Sequence, residues 1–260
     1  MSKLVEMLNV SDFRNLRWGV RVPPFVEARL AIHRFEAADS DGFVQVDDHY
    51  RYLLGAVDNQ RLGSCVVQAS TELAEWHINK TFGACVCFDQ DTIDELYMMA
   101  RMYNYHNAKD EGLELPMGVQ ELINCGVFPP DTVIERVGMS WKEHNEALIK
   151  SPMVIGQSVH EGFSPKNLHS ENGAVAETYD TNLMPFTNCH AMLLTGSNLH
   201  NNTKLAVLRN SWSACGQMGD GIICETIDHL LRWSIDFPVQ VRLGPLWADW
   251  RGWEKWVKKI

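Results

Sequence analysis

The chain has 260 residues, 45% of them hydrophobic and 22% charged, with a formal net charge of −10. At roughly 150 residues per domain this predicts one large domain or two lobes, long enough to bury a sizeable core without disulfide staples. No run of roughly 18 apolar residues spells a membrane span, and an acidic chain without Lys/Arg clusters argues against sequence-independent nucleic-acid binding.

The opening stretch, MSKLVEMLNVSDFRNLRW, lacks the apolar run and small-residue cleavage site of a signal peptide. The seven cysteines are therefore expected to be reduced thiols in a cytoplasm rather than a disulfide framework. Residues 1–45 hold no sustained period and are broken by Pro23-Pro24, which predicts an extended arm with at most one short helix. A helix is expected to begin near Cys65, with Val66, Val67, Leu73, Ala74, Ile78 and Phe82 at near-helical spacing. Asp91 is expected to cap a second helix with Ile93, Leu96, Tyr97, Ala100 and Tyr103 on one face. Met117 to Cys125 predicts a short helix stopped by Gly126, and Ser140-Trp-Lys-Glu143 is a capping-box pattern opening a helix toward Ile149. From Pro152 the texture changes. MVIGQSV, HAMLLTGS, KLAVLRN, DGIICE and PVQVRL are short apolar runs bounded by Gly, Asn, Asp and Pro, which predicts strands interrupted by one helix over Thr226–Trp233. The pattern is α+β, a helical lobe over about 46–150 and an antiparallel sheet lobe over about 151–240, followed by a Trp-rich tail over 241–260.

Three residues carry a chemistry. Cys65 stands at the expected start of a helix, where the positive end of the dipole favours a thiolate, the nucleophilic form of cysteine. His190 opens one apolar strand and Asn210 closes the next, with the polar segment Asn198–Thr203 between them. A hairpin centred near residue 200 pairs 190 with 210, bringing the two side chains within reach. The Asn carboxamide then accepts one ring N–H, and the other ring nitrogen is left to take a proton from a thiol.

These residues resemble a known family. Gly63-Ser64-Cys65, then His190-Ala191, then Asn210-Ser211-Trp212 followed by Gly219-Asp220-Gly221 are similar to the motifs of papain-like cysteine peptidases, at that family's order and spacing. The segment Asn59 to Ala69 resembles the bacterial and phage members more than the plant or lysosomal ones. The resemblance covers about residues 45–235. It implies a two-lobed fold with a cleft between the lobes, and peptide-bond hydrolysis through an acyl-enzyme. Cys65 would be the nucleophile, His190 the general base and acid, Asn210 its orienting partner and Trp212 a cover over the Asn–His hydrogen bond. The oxyanion hole would combine the Cys65 N–H with an upstream amide, Asn59 or Gln60, of which Gln60 is the choice. Leu62, Val66 and Ser213 depart from the family pattern, which bears on cleft shape and leaves the triad intact.

No metal or organic cofactor is implied. Cys85-x-Cys87 has no second Cys/His pair to complete a metal site and reads as buried strand or loop thiols, and Cys189 should alternate into the core. Trp247, Trp250, Trp253 and Trp256 recur every third residue. They are expected to pack back onto the domain, with docking onto another subunit as the alternative. The expected partner is a peptide or protein substrate. A second reading makes the chain a structural component of a larger assembly, such as a phage particle, held through the arm and the tail.

Overall fold

The computed structural model describes residues 43–46, 49, 52–53, 60–159, 188–200, 202–211 and 221–260. The arm over 1–42, Asn59 and Trp212 lie outside the described residues.

Helix α1 (Cys65–Phe82) is the central element, buried on every side from Cys65 to Asn79. A helix without a wet face must satisfy its polar side chains internally. Here Ser70 Oγ and Thr71 Oγ1 donate back to the carbonyls of Val66 and Gln68, Glu75 accepts the N–H of Phe88, and Asn79 bonds the backbone of Val86 both ways. Two-residue strand β1 (Val86–Cys87) follows, then helix α2 (Gln90–Tyr105). The cap of α2 is Asp89 rather than Asp91. The Asp89 carboxylate accepts the Thr92 N–H, and Asp91 sits inside the first turn. Ile93, Leu96, Tyr97 and Ala100 form its buried face. Tyr103, expected there, is exposed: it lies at the edge of that face in the last turn of the helix.

Helix α3 (Leu115–Asn124) starts two residues earlier than expected, with Pro116 in its first turn, where the missing N–H costs nothing. Gly118 permits its close crossing with α1. A Cβ there would lie 2.5 Å from Ser70 Oγ and 2.9 Å from the Val66 carbonyl oxygen.

Strands β2 (Val133–Arg136), β3 (Met153–Val159), β4 (Asn188–His200), β5 (Thr203–Arg209), β6 (Ile222–Thr226) and β7 (Val239–Arg242) make one antiparallel sheet in the order β2-β7-β3-β4-β5-β6. Helix α4 (Trp141–Leu148) carries the expected capping box, and helix α5 (Ile227–Trp233) is capped by Thr226.

The sheet is covered on both faces. One apolar cluster joins α1, α2 and α3 to Val154, Cys189, Ala191, Leu193 and Val239. The other joins Trp141, Ala147 and Leu148 to Met153, Ile155, Met192, Leu194, Leu208 and Leu230. Helix α4 therefore packs with the sheet, although the sequence reading assigned it to the helical lobe. Its apolar side chains meet the sheet face turned away from α1.

The C-terminal tail forms two 3₁₀ turns (Pro245–Asp249 and Gly252–Lys255) and strand β8 (Lys258–Lys259), which pairs with β1. The Trp247 and Trp253 rings are buried in the first cluster. All four indole N–H groups donate within the chain, to Thr81 Oγ1 and to the carbonyls of Gly126, Trp250 and Cys125. The tail is thus a strap across the helical lobe. The expected packing of these indoles back onto the domain is what the chain shows. Cys85, read as buried, is exposed next to this strap, whereas Cys189 is buried as expected. No helix among the described residues is long and apolar enough to cross a membrane.

Candidate active site

Cys65 is the first residue of α1, and the loop before it is held from the side. The Gly63 N–H donates to Asp110 Oδ1 at 2.7 Å, and the same oxygen accepts the Tyr97 hydroxyl at 2.8 Å. A Cβ on Gly63 would sit 2.7 Å from that carboxylate oxygen, so only glycine lets the loop lie against it. Burial, with Asp110 adding to it, pushes the Tyr97 hydroxyl far up, so it stays a donor.

The sheet supplies the other groups. Strand β4 runs on to His200 and β5 begins at Thr203, with Asn202 in the left-handed region (φ 63°). The turn is tighter than expected, and the ladder is not centred where equal spacing puts it. His200 pairs with Thr203 and Gly196 with Val207, but beyond a bulge between Leu194 and Gly196 the partners are Leu194↔Leu208 and Leu193↔Arg209. Continued one step, this register sets Asn210 across from Met192, two residues from His190. The expected direct pairing of 190 with 210 is therefore replaced by a diagonal one. A slip of two keeps both side chains on one face, whereas a slip of one separates them. The extra residue, Thr195, supplies the step that makes the parity even. Its Oγ1 donates to the Val207 carbonyl. Gly196 was the available signal, since glycine inside a strand marks a bulge.

His190 Nε2–H donates to Asn210 Oδ1 at 2.7 Å. That bond assigns the ring proton to Nε2 and leaves Nδ1 as the basic nitrogen. Asn210 Oδ1 also accepts the Ser211 N–H at 2.7 Å. On the helix side, the Ala191 N–H, which lies past the last β4–β5 pair, donates to Cys65 Sγ at 3.4 Å. The sulfur thus abuts the backbone of the residue next to His190. Cys65, His190 and Asn210 are each 0% exposed. Burial pulls the His190 imidazole down to about 4, against the opposing effect of the Asn210 hydrogen bond, so the ring is neutral at neutral pH.

Gln60 lies beside this group. Its Nε2 donates to the Leu62 carbonyl at 2.6 Å, its Oε1 accepts the Ser211 hydroxyl at 2.7 Å, and its N–H donates to the Ser211 carbonyl at 2.9 Å. Ser211 Oγ is also 3.5 Å from His190 Nε2. Ser211 is the residue that sequence reasoning passed over, although it stands inside the Asn-Ser-Trp motif. It ties the loop before the nucleophile to the strand end that carries Asn210. Among the described residues, no group of His, Cys, Asp or Glu is placed to hold a metal.

No protein-family model and no curated protein sequence matches the chain. Solved structures do. A cysteine protease from Xylella fastidiosa, xylellain, superposes with a TM-score of 0.60 at 18% identity, over 90% of this chain and 93% of that one. Digestive procathepsin L 3 of Tenebrio molitor larval midgut gives 0.58 at 14% identity, over 84% and 79%. The proform of the ragweed pollen cysteine protease Amb a 11 gives 0.56 at 15%, over 79% and 67%. The fold is papain-like and α+β, as the sequence resemblance implies.

Proposed function

We propose that the chain is a cysteine peptidase that hydrolyses peptide bonds through Cys65, His190 and Asn210, with Gln60 beside the oxyanion. The observation that carries the reading is the Cys65 sulfur held by the N–H of Ala191, the residue next to the His190 that bonds Asn210. In this reading Cys65 Sγ passes its proton to His190 Nδ1 and adds to the scissile carbonyl carbon. The negative oxygen of the adduct is met by the Cys65 N–H and the Gln60 amide. Collapse breaks the C–N bond, and His190 gives its proton to the departing amine, leaving a thioester. Water, deprotonated by the same imidazole, then releases the acid and restores the thiol. Asn210 fixes the ring through Nε2 throughout. A reducing compartment belongs to this reading, since it would keep Cys65 as the thiol.

The complete burial of Cys65 favours a second reading, a structural component of a larger assembly that carries this fold without turnover. Labelling with an electrophilic peptide analogue separates the two. The peptidase reading expects covalent modification of Cys65, slowed by about a thousandfold in His190→Ala. Absence of labelling, or labelling indifferent to His190→Ala, would leave only the scaffold.

A further inference from the structure

We propose that the buried Glu72–Arg209 ion pair is a positioning device that sets Asn210 and His190 against the thiol of Cys65. The proposal rests on the peptidase reading above.

Glu72 follows Cys65 by seven residues on α1, which is about 1.9 turns and about 10 Å of rise. The two side chains therefore leave the same face of the helix. Arg209 is the last residue of β5 and directly precedes Asn210. Its Nε donates to Glu72 Oε1 at 2.9 Å, its Nη1 lies 3.4 Å from the Leu53 carbonyl oxygen, and both side chains are 5% exposed. The helix face that presents the sulfur is thus fixed to the β4–β5 hairpin at two points, the Ala191 N–H on Cys65 and Arg209 on Glu72. The apolar packing around α1 is not directional by itself. Two directional contacts, two turns apart, add a fixed register and rotation to that packing.

Stability alone is a poor explanation for such a pair. Desolvating both charges offsets most of their attraction, and apolar side chains of similar volume often replace a buried pair without loss. The gain is geometric. A misplacement of about 1 Å between reacting groups can cost about a hundredfold in rate. The proton affinity of His190 is governed by its burial and by Asn210, so the pair acts by placing the ring rather than by its field.

The experiment uses the full chain and the rate of Cys65 alkylation by iodoacetamide as a function of pH, with a thermal melt of each variant. The variants are His190→Ala, the apolar pair Glu72→Leu/Arg209→Met, and Glu72→Asp. The apolar pair is expected to melt close to the parent. Its alkylation should slow by about tenfold or more, with a pH profile drawn toward that of His190→Ala. Glu72→Asp keeps both charges and withdraws the carboxylate by one methylene. It carries the test by itself if the apolar pair does not fold, with a slowing of about threefold expected. Rates and profiles within about twofold of the parent in whichever variant folds overturn the proposal. In that case, a parent still sensitive to His190→Ala leaves the peptidase reading standing. Insensitivity of the parent to His190→Ala removes both.

Discussion

The two faces of β4 look onto interiors of different chemistry. Toward α1, Cys189, Ala191 and Leu193 join an apolar cluster that runs through the helices to Trp247 and Trp253 of the tail. Toward α4 and α5, Met192 and Leu194 share a smaller cluster with the sheet. On that side Gln157 and Glu225 are also buried, joined by a 2.5 Å hydrogen bond from Gln157 Nε2 to Glu225 Oε1, with His229 Nε2 3.6 Å from the other carboxylate oxygen. Strands β4 and β5 lie between β3 and β6 in the sheet, so a bond from Gln157 to Glu225 requires the sheet to curl strongly around this second interior. Both sides bury polar groups within apolar mass, but the first is also closed by a strap, and the second holds a carboxyl bonded to an amide where the first pairs Glu72 with Arg209. The candidate site lies at the seam, where the parity of a strand residue decides which interior its side chain meets.

The strap side should be the costlier to open. Trp247 is buried against Phe82, Phe128 and His77, and its indole N–H is held by Thr81. Trp247→Ala leaves a cavity that the surrounding helices cannot refill, with an expected loss of about 3–5 kcal/mol, read by chemical denaturation. A loss well under that range would mean that the tail only rests on the lobe.

Neighbouring residues of β4 divide the two sides more finely. Ala191 is buried with its N–H on Cys65, and Ala191→Leu forces a larger side chain into the packing around the sulfur. On the peptidase reading proposed above, activity should fall by about a hundredfold. Met192 packs in the other cluster, two residues from His190 and across from Asn210, and Met192→Leu, which conserves volume, should cost less than about 1.5 kcal/mol and lower turnover by less than about tenfold. Equal effects of the two changes on turnover would show that packing around the Cys65 sulfur is not what Ala191 contributes.

Much of this arrangement was legible in the chain itself. The start of α1 at Cys65, the capping box at Ser140 and the strands after Pro152 all follow from short-range signals, because caps and periodicity are local. Three features were not. Strand β2 is an edge strand whose residues are exposed or half-buried, so Val133–Arg136 has no alternation to read. The paired β1 and β8 are two residues each and exist only because the tail folds back over the helical lobe. The register of the β4–β5 hairpin depends on one inserted residue, and equal spacing from the turn predicted the wrong partner for His190 while still predicting the right neighbour. The bond between Ser211 and Gln60 joins residues 151 apart in sequence, a closeness that only the assembled lobes reveal.

The polar side of the comparison is sharpened by pH. Burial holds the Glu225 carboxyl up at about 8, against an ordinary value of 4.5 and against the opposing effect of the Gln157 hydrogen bond. In the unfolded chain this group ionises near 4.5, while in the folded chain it keeps its proton to about 8. Unfolding therefore releases a proton in that window, and stability falls as pH rises from about 4.5 to 8. The buried imidazoles act in the opposite sense. His77 is pulled down to about 3, and His144 and His190 to about 4, chiefly by burial. Unfolding takes up protons there, so stability rises with pH up to their ordinary value of 6.5. Glu225→Gln preserves an oxygen for the Gln157 amide and removes the ionisation. The variant should keep the acid limb of the parent, gain melting temperature relative to it progressively between pH 5 and pH 8, and show no further gain above that. Melts at pH 5, 6.5 and 8 read the slope directly. Parallel curves for parent and variant across this range would mean that Glu225 ionises in the folded lobe as it does in water, and the second interior would then have to be wetter than its packing indicates.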